Sequence, residues 1–160
     1  MDIEVVLSIY PGTKTEDWIK TKDGGWAHIT AECVPTAKIF GVVGSRARVG
    51  YWARVGDGAS VGDGARVGDG ARVSGKREYK RLITIGPIGS RDSPILFSPE
   101  FGLVWTGCFK EKSLDEFEKA INKTHGKNRH AKEYLALLVW MRAMVKIEKA
   151  EAKKASKVKG

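Results

Sequence analysis

From Val43 to Val73 a valine returns every sixth residue, at 43, 49, 55, 61, 67 and 73. Two places before each stands a small residue: Gly41, Ala47, Ala53, Ala59, Ala65 or Ala71. Glycine follows every one of these valines except the last, which precedes Ser74. The unit is Ala-x-Val-Gly-Asp-Gly, clearest in the two successive copies over 59–70. A helix does not carry glycine at this density, because each costs about 1 kcal/mol against alanine. Collagen needs glycine every third residue with abundant proline, and proline is absent between Pro35 and Pro87. In a strand the outer residues of Ala-x-Val point one way, inward, while x points out. Gly-Asp-Gly then turns the chain, glycine accepting positive φ and aspartate bonding to the local backbone. The spacing predicts a solenoid of three six-residue sides, eighteen residues per coil.

The flanks have other patterns. Lys76–Arg81 lacks the repeat and reads as a loop or bulge at one corner, after which Ile83-Thr-Ile-Gly86 returns to phase. The expected organisation is a β cap over 1–30, the coil over 31–92, a β-hairpin over 93–112 and a helical hairpin with a basic tail over 113–160. Within the first cap, Ile3–Tyr10 reads as a strand, and Trp18 and Trp26 flank the turn Asp23-Gly-Gly25. Ser113 and Glu116 form a capping box, Leu114, Phe117 and Ile121 an apolar stripe, and Gly126 a stop. A second helix is expected from about Ala131, presenting Leu135, Leu138, Val139, Met141 and Val145 to the core.

Over roughly Ala37–Ser74 the chain resembles the hexapeptide-repeat family of left-handed parallel β-helices. The resemblance implies a mainly β fold with a short left-handed parallel β-helix of about three coils. It also implies trimers with parallel axes, leaving a groove between each pair of subunits. A coil this short exposes its strand edges and small core residues, which is an independent reason for caps and for oligomerisation. A second likeness rests on Gly86-Pro-Ile-Gly-Ser-Arg91, Thr106-Gly-Cys-Phe109, Leu114–Phe117, Thr124-His-Gly126 and Glu133-Tyr-Leu135. It is to small phage- and prophage-encoded hexapeptide-repeat proteins.

Composition narrows the partners. The 160 residues suit one domain; 42% hydrophobic and 29% charged residues exclude wholesale disorder and a membrane-embedded chain. The longest apolar run, Tyr134–Met141, is far short of a bilayer, and Met1–Glu4 is acidic where a secretory leader is basic. A cytoplasmic location is expected, the host bacterial cytosol for a phage protein. Cys33 and Cys108 read as reduced, buried thiols. The net charge of +9 favours anionic partners, and the lysines between Lys146 and Gly160 belong to a solvated helix end.

Candidate chemistry is sparse. The three histidines are His28, His125 and His130, and none lies within Ala37–Ser74. Acyltransferases of the resembled fold use a histidine base, for which His28 is the sole candidate near the coil. Its zinc carbonic anhydrases need three histidines on neighbouring coils, which this sequence lacks. Gly86–Arg91 has the glycine of a phosphate-cradling loop without the spacing or ending of a P-loop. No catalytic residue, metal or cofactor is assigned.

The outward positions are more informative. Residues eighteen apart share a face, so Arg48 stacks under Arg66 and then Thr84, and Arg54 under Arg72 and then Ser90. Val42 and Ser60, with Glu78 beyond, form a third face. Like charges one strand apart repel by roughly 1 kcal/mol in water and about 3–4 at an effective dielectric near 20. Such ladders need an offset: solvent, the corner residues Asp57, Asp63 and Asp69 of the coil or of a neighbouring subunit, or a phosphate held by guanidinium forks. Arg91 supplements the ladders, and Tyr51 or Trp52 offers a stacking surface for a base. The expectation is a non-catalytic trimer that sequesters a small phosphorylated ligand in arginine-lined grooves between subunits. A cyclic nucleotide or related immune signal, bound by a phage anti-defence sponge, would fit. The alternatives are an acyltransferase using acyl-CoA and a structural or adaptor trimer; membrane and nucleic-acid partners are not expected.

Overall fold

Each Ala-x-Val unit forms a two-residue strand, and strands one turn apart pair in parallel. The computed structural model describes residues 1–107 and 109–158, so Cys108, expected as a buried thiol, lies outside the described residues. The chain opens with helix α1 (Ile3–Ile9) and strand β1 (Trp18–Lys20). The coil follows as β2 (Trp26–His28), β3 (Glu32–Cys33), β4 (Lys38–Ile39), β5 (Val42–Val43), β6 (Arg48–Val49), β7 (Arg54–Val55), β8 (Ser60–Val61), β9 (Arg66–Val67), β10 (Arg72–Val73) and β11 (Glu78–Tyr79). These stack into three faces: β1-β2-β5-β8-β11, β3-β6-β9 and β4-β7-β10. The result is a parallel β-helix of three turns and the first strand of a fourth. Its core is layered, with Val43, Val49 and Val55 below Val61, Val67 and Val73, all at most 1% exposed. Each buried valine contributes about 1.5–3 kcal/mol relative to its exposed state.

The coil begins and ends earlier than periodicity suggests. Ala27, Cys33 and Ile39 form a lower layer, paired with Val43, Val49 and Val55. They fall out of phase because the first turn is two residues short: Trp26 pairs with Val42, sixteen away, whereas Val42 pairs with Ser60, eighteen away. The shortened corner is Phe40-Gly41, and a Cβ at Gly41 would run into the carbonyl of Ala59. Cys33 is partly buried against this core, and desolvation raises its thiol pKa.

At the upper end Lys76–Arg81 is not a loop. Glu78 and Tyr79 pair with Ser60 and Val61, and Tyr79 takes the inward place of a valine, fully buried. Nor does Ile83–Ile85 resume the coil; it starts β12 (Ile83–Ile88), which runs antiparallel to β13 (Ser93–Ser98). With β14 (Leu103–Thr106) and β15 (Phe109–Ser113) it makes a four-stranded sheet, larger than the expected hairpin. Strand alternation gives this sheet two apolar faces. Leu96, Leu103 and Trp105 close the end of the coil core, while Ile95, Phe97 and Val104 receive the helices. An open coil end needs that lid, and Glu100 fixes the connection by accepting from the amides of Lys80 and Arg81 at 2.9 and 3.1 Å.

The N-terminal cap is mixed. The β1–β2 hairpin is present, antiparallel, but Ile3–Ile9 is helical and not a strand. Its β-branched residues favour a strand, yet Ile3, Val6, Leu7 and Tyr10 have the i, i+3, i+4, i+7 spacing of one helical face. That face packs with Trp18 on Val42. The Tyr10 hydroxyl lies 2.8 Å from Ser60 Oγ and donates to the Val61 carbonyl at 2.9 Å.

Helices α2 (Leu114–His125) and α3 (Arg129–Val158) complete the chain. The capping box forms: Ser113 Oγ accepts from the Glu116 amide at 3.2 Å, and the Glu116 carboxylate from the Ser113 amide at 3.0 Å. The Ser113 amide first, then the Lys112 ammonium and the Ser113 hydroxyl, each donating to the Glu116 carboxylate at 3.0 Å, hold that carboxyl down at about 2. α3 extends about 45 Å at 1.5 Å per residue and stays helical to Val158. Its buried stripe is Tyr134, Leu138 and Met141, so Val139 faces solvent, 70% exposed, instead of the core. No helix among the described residues is long and apolar enough to cross a membrane.

A candidate anion-binding groove

The outward positions stack as the eighteen-residue spacing requires, Arg48 beside Arg66 and Arg54 beside Arg72. Their surroundings then diverge. The face of Val42 and Ser60 is covered by α1 and Tyr10, leaving both buried. On the β3-β6-β9 face Glu32 lies in register with Arg48 and accepts from its Nε at 2.8 Å and its Nη2 at 3.1 Å. On the β4-β7-β10 face the corresponding residue is Lys38, so that three cations, Lys38, Arg54 and Arg72, follow one another. Arg54 lies over the Phe40 ring, 4.3 Å from guanidinium carbon to centroid.

The corner aspartates do not neutralise this ladder within the chain. Asp63 accepts from the Ser45 amide and Asp69 from the Tyr51 amide, each at 2.8 Å, which ties each corner to the coil below. Among the described residues no carboxylate comes within 4.0 Å of the charged nitrogens of Lys38, Arg54, Arg72, Arg91 or Lys110. Rungs about 4.8 Å apart then repel by roughly 1 kcal/mol in water and about 3–4 at an effective dielectric of 20.

Beside this face runs a groove of about 880 Å³. Arg54 and Arg72 line it from the coil; Arg91, Trp105 and Lys110 line it from the antiparallel sheet. Two strained residues flank the cations of that second wall. Asp92 has φ +46° and Glu111 has φ +49°, conformations costing about 1–3 kcal/mol for residues other than glycine. Glu111 is locked by its carboxylate, which accepts from Arg77 Nε at 3.3 Å and lies 3.2 Å from the Tyr79 hydroxyl. Burial first, and then Glu111, push the Tyr79 phenol far above its ordinary value. The bulge that carries Glu111 also turns Lys110 toward the groove. Its described lining includes no histidine and no carboxylate.

Three of the candidate ligand residues, Arg54, Arg72 and Arg91, therefore meet in one groove. Arg48 and Arg66 lie on the neighbouring face, topped by Thr84, whose Oγ1 accepts from the Gly68 amide at 2.9 Å. Ser90 does not stack on Arg72; it sits in the 3-10 turn Gly89–Arg91 and lines a smaller cavity. Tyr51 and Trp52 occupy the corner between the two faces, 55% and 74% exposed, outside the groove lining. Trp52 has φ +59°, where later corners place Gly58, Gly64 and Gly70. His28 is bound to Thr30 at 2.8 Å and packs edge-on to Trp18, away from the groove lining.

Two cations lie outside the candidate set. Lys38 occupies the x of Ala37-Lys-Ile39, a unit hidden by the short corner at 40–41. Lys110 has no sequence signal, because its position depends on how the sheet closes over the coil. Comparison with known protein families, curated proteins and solved structures finds no match to the chain. What defines its class is its own geometry: a parallel β-helix capped by an antiparallel sheet and two helices, with one cationic face that no carboxylate among the described residues pairs.

Proposed function

We propose that this protein is a non-catalytic binding protein that sequesters a small phosphorylated molecule in the groove between coil and antiparallel sheet. One observation carries the proposal: Arg54 and Arg72, the upper rungs of the cationic ladder that Lys38 begins, line one open groove together with Arg91 and Lys110. Guanidinium forks match phosphate oxygens two at a time. A bound dianion offsets the mutual repulsion that the empty ladder sustains. The described lining carries four cations, Arg54, Arg72, Arg91 and Lys110, and neither histidine nor carboxylate, which supports the holding of an anion there.

The proposal includes the hexapeptide-repeat and phage likenesses, a sponge for a nucleotide immune signal, and a trimer. The repeat supports the first, and the shortness of the coil core supports oligomerisation. The expected groove between subunits becomes a groove with both walls in one chain, so a neighbouring subunit would complete the site without creating it. The test is to screen the purified protein against phosphorylated metabolites and nucleotide signals for a rise in melting temperature. Heating should then release the bound compound chemically intact. The idea fails if no phosphorylated compound shifts the transition, or if the recovered compound is altered. Light scattering at three times the 17.6 kDa chain mass checks the assembly.

A further inference from the structure

Next to the cationic groove lies a second, smaller cavity of about 120 Å³. Arg91, Thr106 and Phe109 line both spaces, so the two adjoin across one guanidinium and one aromatic side chain. The small cavity has no counterpart in the repeat; α2, α3 and the sheet build it. Four rings run in sequence beside it: Phe109 to Phe117 at 5.5 Å, Phe117 to Tyr134 at 5.8 Å, and Tyr134 to His125 at 5.5 Å between centroids. Thr124 and His125 place a hydroxyl and an imidazole at the cavity lining, and Ala120 is its smallest side chain.

Two glycines hold the junction. Gly89, at φ +76°, lies so close to the Tyr134 ring that a Cβ there would overlap it. Gly107, at φ +55°, lies against the end of Arg91, where a Cβ would stand 2.7 Å from the flexible Nη1. The backbone at Gly89 thus closes over the Tyr134 ring, and Arg91 borders both spaces.

We infer that the groove and the cavity are two halves of one site: the cations take the phosphate, and the aromatic compartment takes a planar ring joined to it. The ligand class is a nucleotide whose base enters beside Phe109 and Tyr134, not one stacked on Tyr51 or Trp52. This inference rests on the proposed phosphate-binding role of the groove. A planar ring laid against this aromatic run replaces solvent with dispersion contacts, and the hydroxyl and imidazole supply partners for its edge.

The experiment measures calorimetric affinity for purine and pyrimidine mononucleotides and cyclic dinucleotides, beside ribose 5-phosphate and inorganic tripolyphosphate. Wild-type protein should bind at least one nucleotide about tenfold or more tightly than either ring-free probe, the size of one base–aromatic stack. Ala120→Leu, which fills the small cavity from a helical position, should erase that advantage and leave ribose 5-phosphate within about twofold. Should Ala120→Leu not fold, Thr124→Trp at the exposed rim should give the same loss. Arg72→Glu should weaken every probe together. Ring-free probes binding as tightly as every nucleotide, or both filling variants retaining full nucleotide preference, would overturn the inference and leave the phosphate groove standing. Failure of every probe to bind would overturn both.

Discussion

The two arginine faces of the coil are nearly the same in sequence and opposite in electrostatic state. Both present arginines eighteen residues apart on parallel strands, Arg48 with Arg66 and Arg54 with Arg72. One rung below, the first has Glu32 and the second Lys38. Above, the first meets the side chain of Thr84, whereas the second meets a wall carrying Arg91 and Lys110. A ladder that begins with a carboxylate is an ordinary surface ion pair, worth at most about 1 kcal/mol. A ladder of one sign, walled on its open side, concentrates potential. The repeat is a neutral scaffold; its ends decide what a face does.

Charge reversal should separate the faces most clearly. Arg72→Glu is expected to weaken binding of any phosphorylated ligand by about 100-fold or more, whereas Arg66→Glu should change it by less than about threefold. Titration calorimetry of both variants with the same ligand decides the matter; equal losses would end the distinction between the faces. The corner that separates them offers the next effect. Trp52→Gly removes a left-handed φ from an exposed residue and should stabilise the protein by about 1 kcal/mol, roughly 2–4 °C in Tm. Ligand affinity should not move. A lowered Tm would show that Trp52 is packed by something, such as a second subunit.

Neutralising substitutions should act in opposite directions on the two faces. Arg72→Gln relieves repulsion and should raise the Tm of the ligand-free protein by about 1–3 °C at low salt. The gain should vanish near 0.5 M sodium chloride, where screening reaches within about 4–5 Å. Glu32→Gln instead leaves Arg48 beside Arg66 without its partner and should lower Tm slightly. Thermal scans across salt concentration read both, and a matching sign would contradict the electrostatic contrast. The smallest effect is a control remote from either face. The Glu116 carboxyl is held at about 2, below its ordinary value. Its stabilising contribution is therefore complete above the ordinary carboxylate range and is lost as pH falls from about 4 toward 2. Glu116→Gln should lower Tm near pH 6, match wild type near pH 2 and leave ligand affinity unchanged.

The regular part of this molecule was legible because its geometry repeats. A six-residue beat with an inward Ala-x-Val admits few structures, and the predicted strand pairs, from Arg48 with Arg66 to Val42 with Ser60, appear in register. The same reliance on phase hid the first turn, where two residues drop out at Phe40-Gly41. It also carried the coil past its end into Ile83–Ile85, which has the right alternation in the wrong sheet. α1 is not legible locally because Val5 and Val6 are strand-prone, and only the packing of Val6 and Tyr10 against Val42 makes its helical stripe count. α2 was legible through local chemistry, a capping box and a terminal glycine.

The order of residues alone therefore determined the coil, its layered core and the two stacked arginine ladders. Each follows from contacts at a constant separation along the chain. Tertiary structure decided which ladder borders a groove. It set Arg91 and Lys110 opposite Arg54 and Arg72, kept Tyr51 and Trp52 outside, and opened an aromatic compartment between sheet and helices. Those placements depend on how an antiparallel lid settles onto an exposed coil end. That docking is governed by burial of Leu96, Leu103 and Trp105, and no periodicity encodes it.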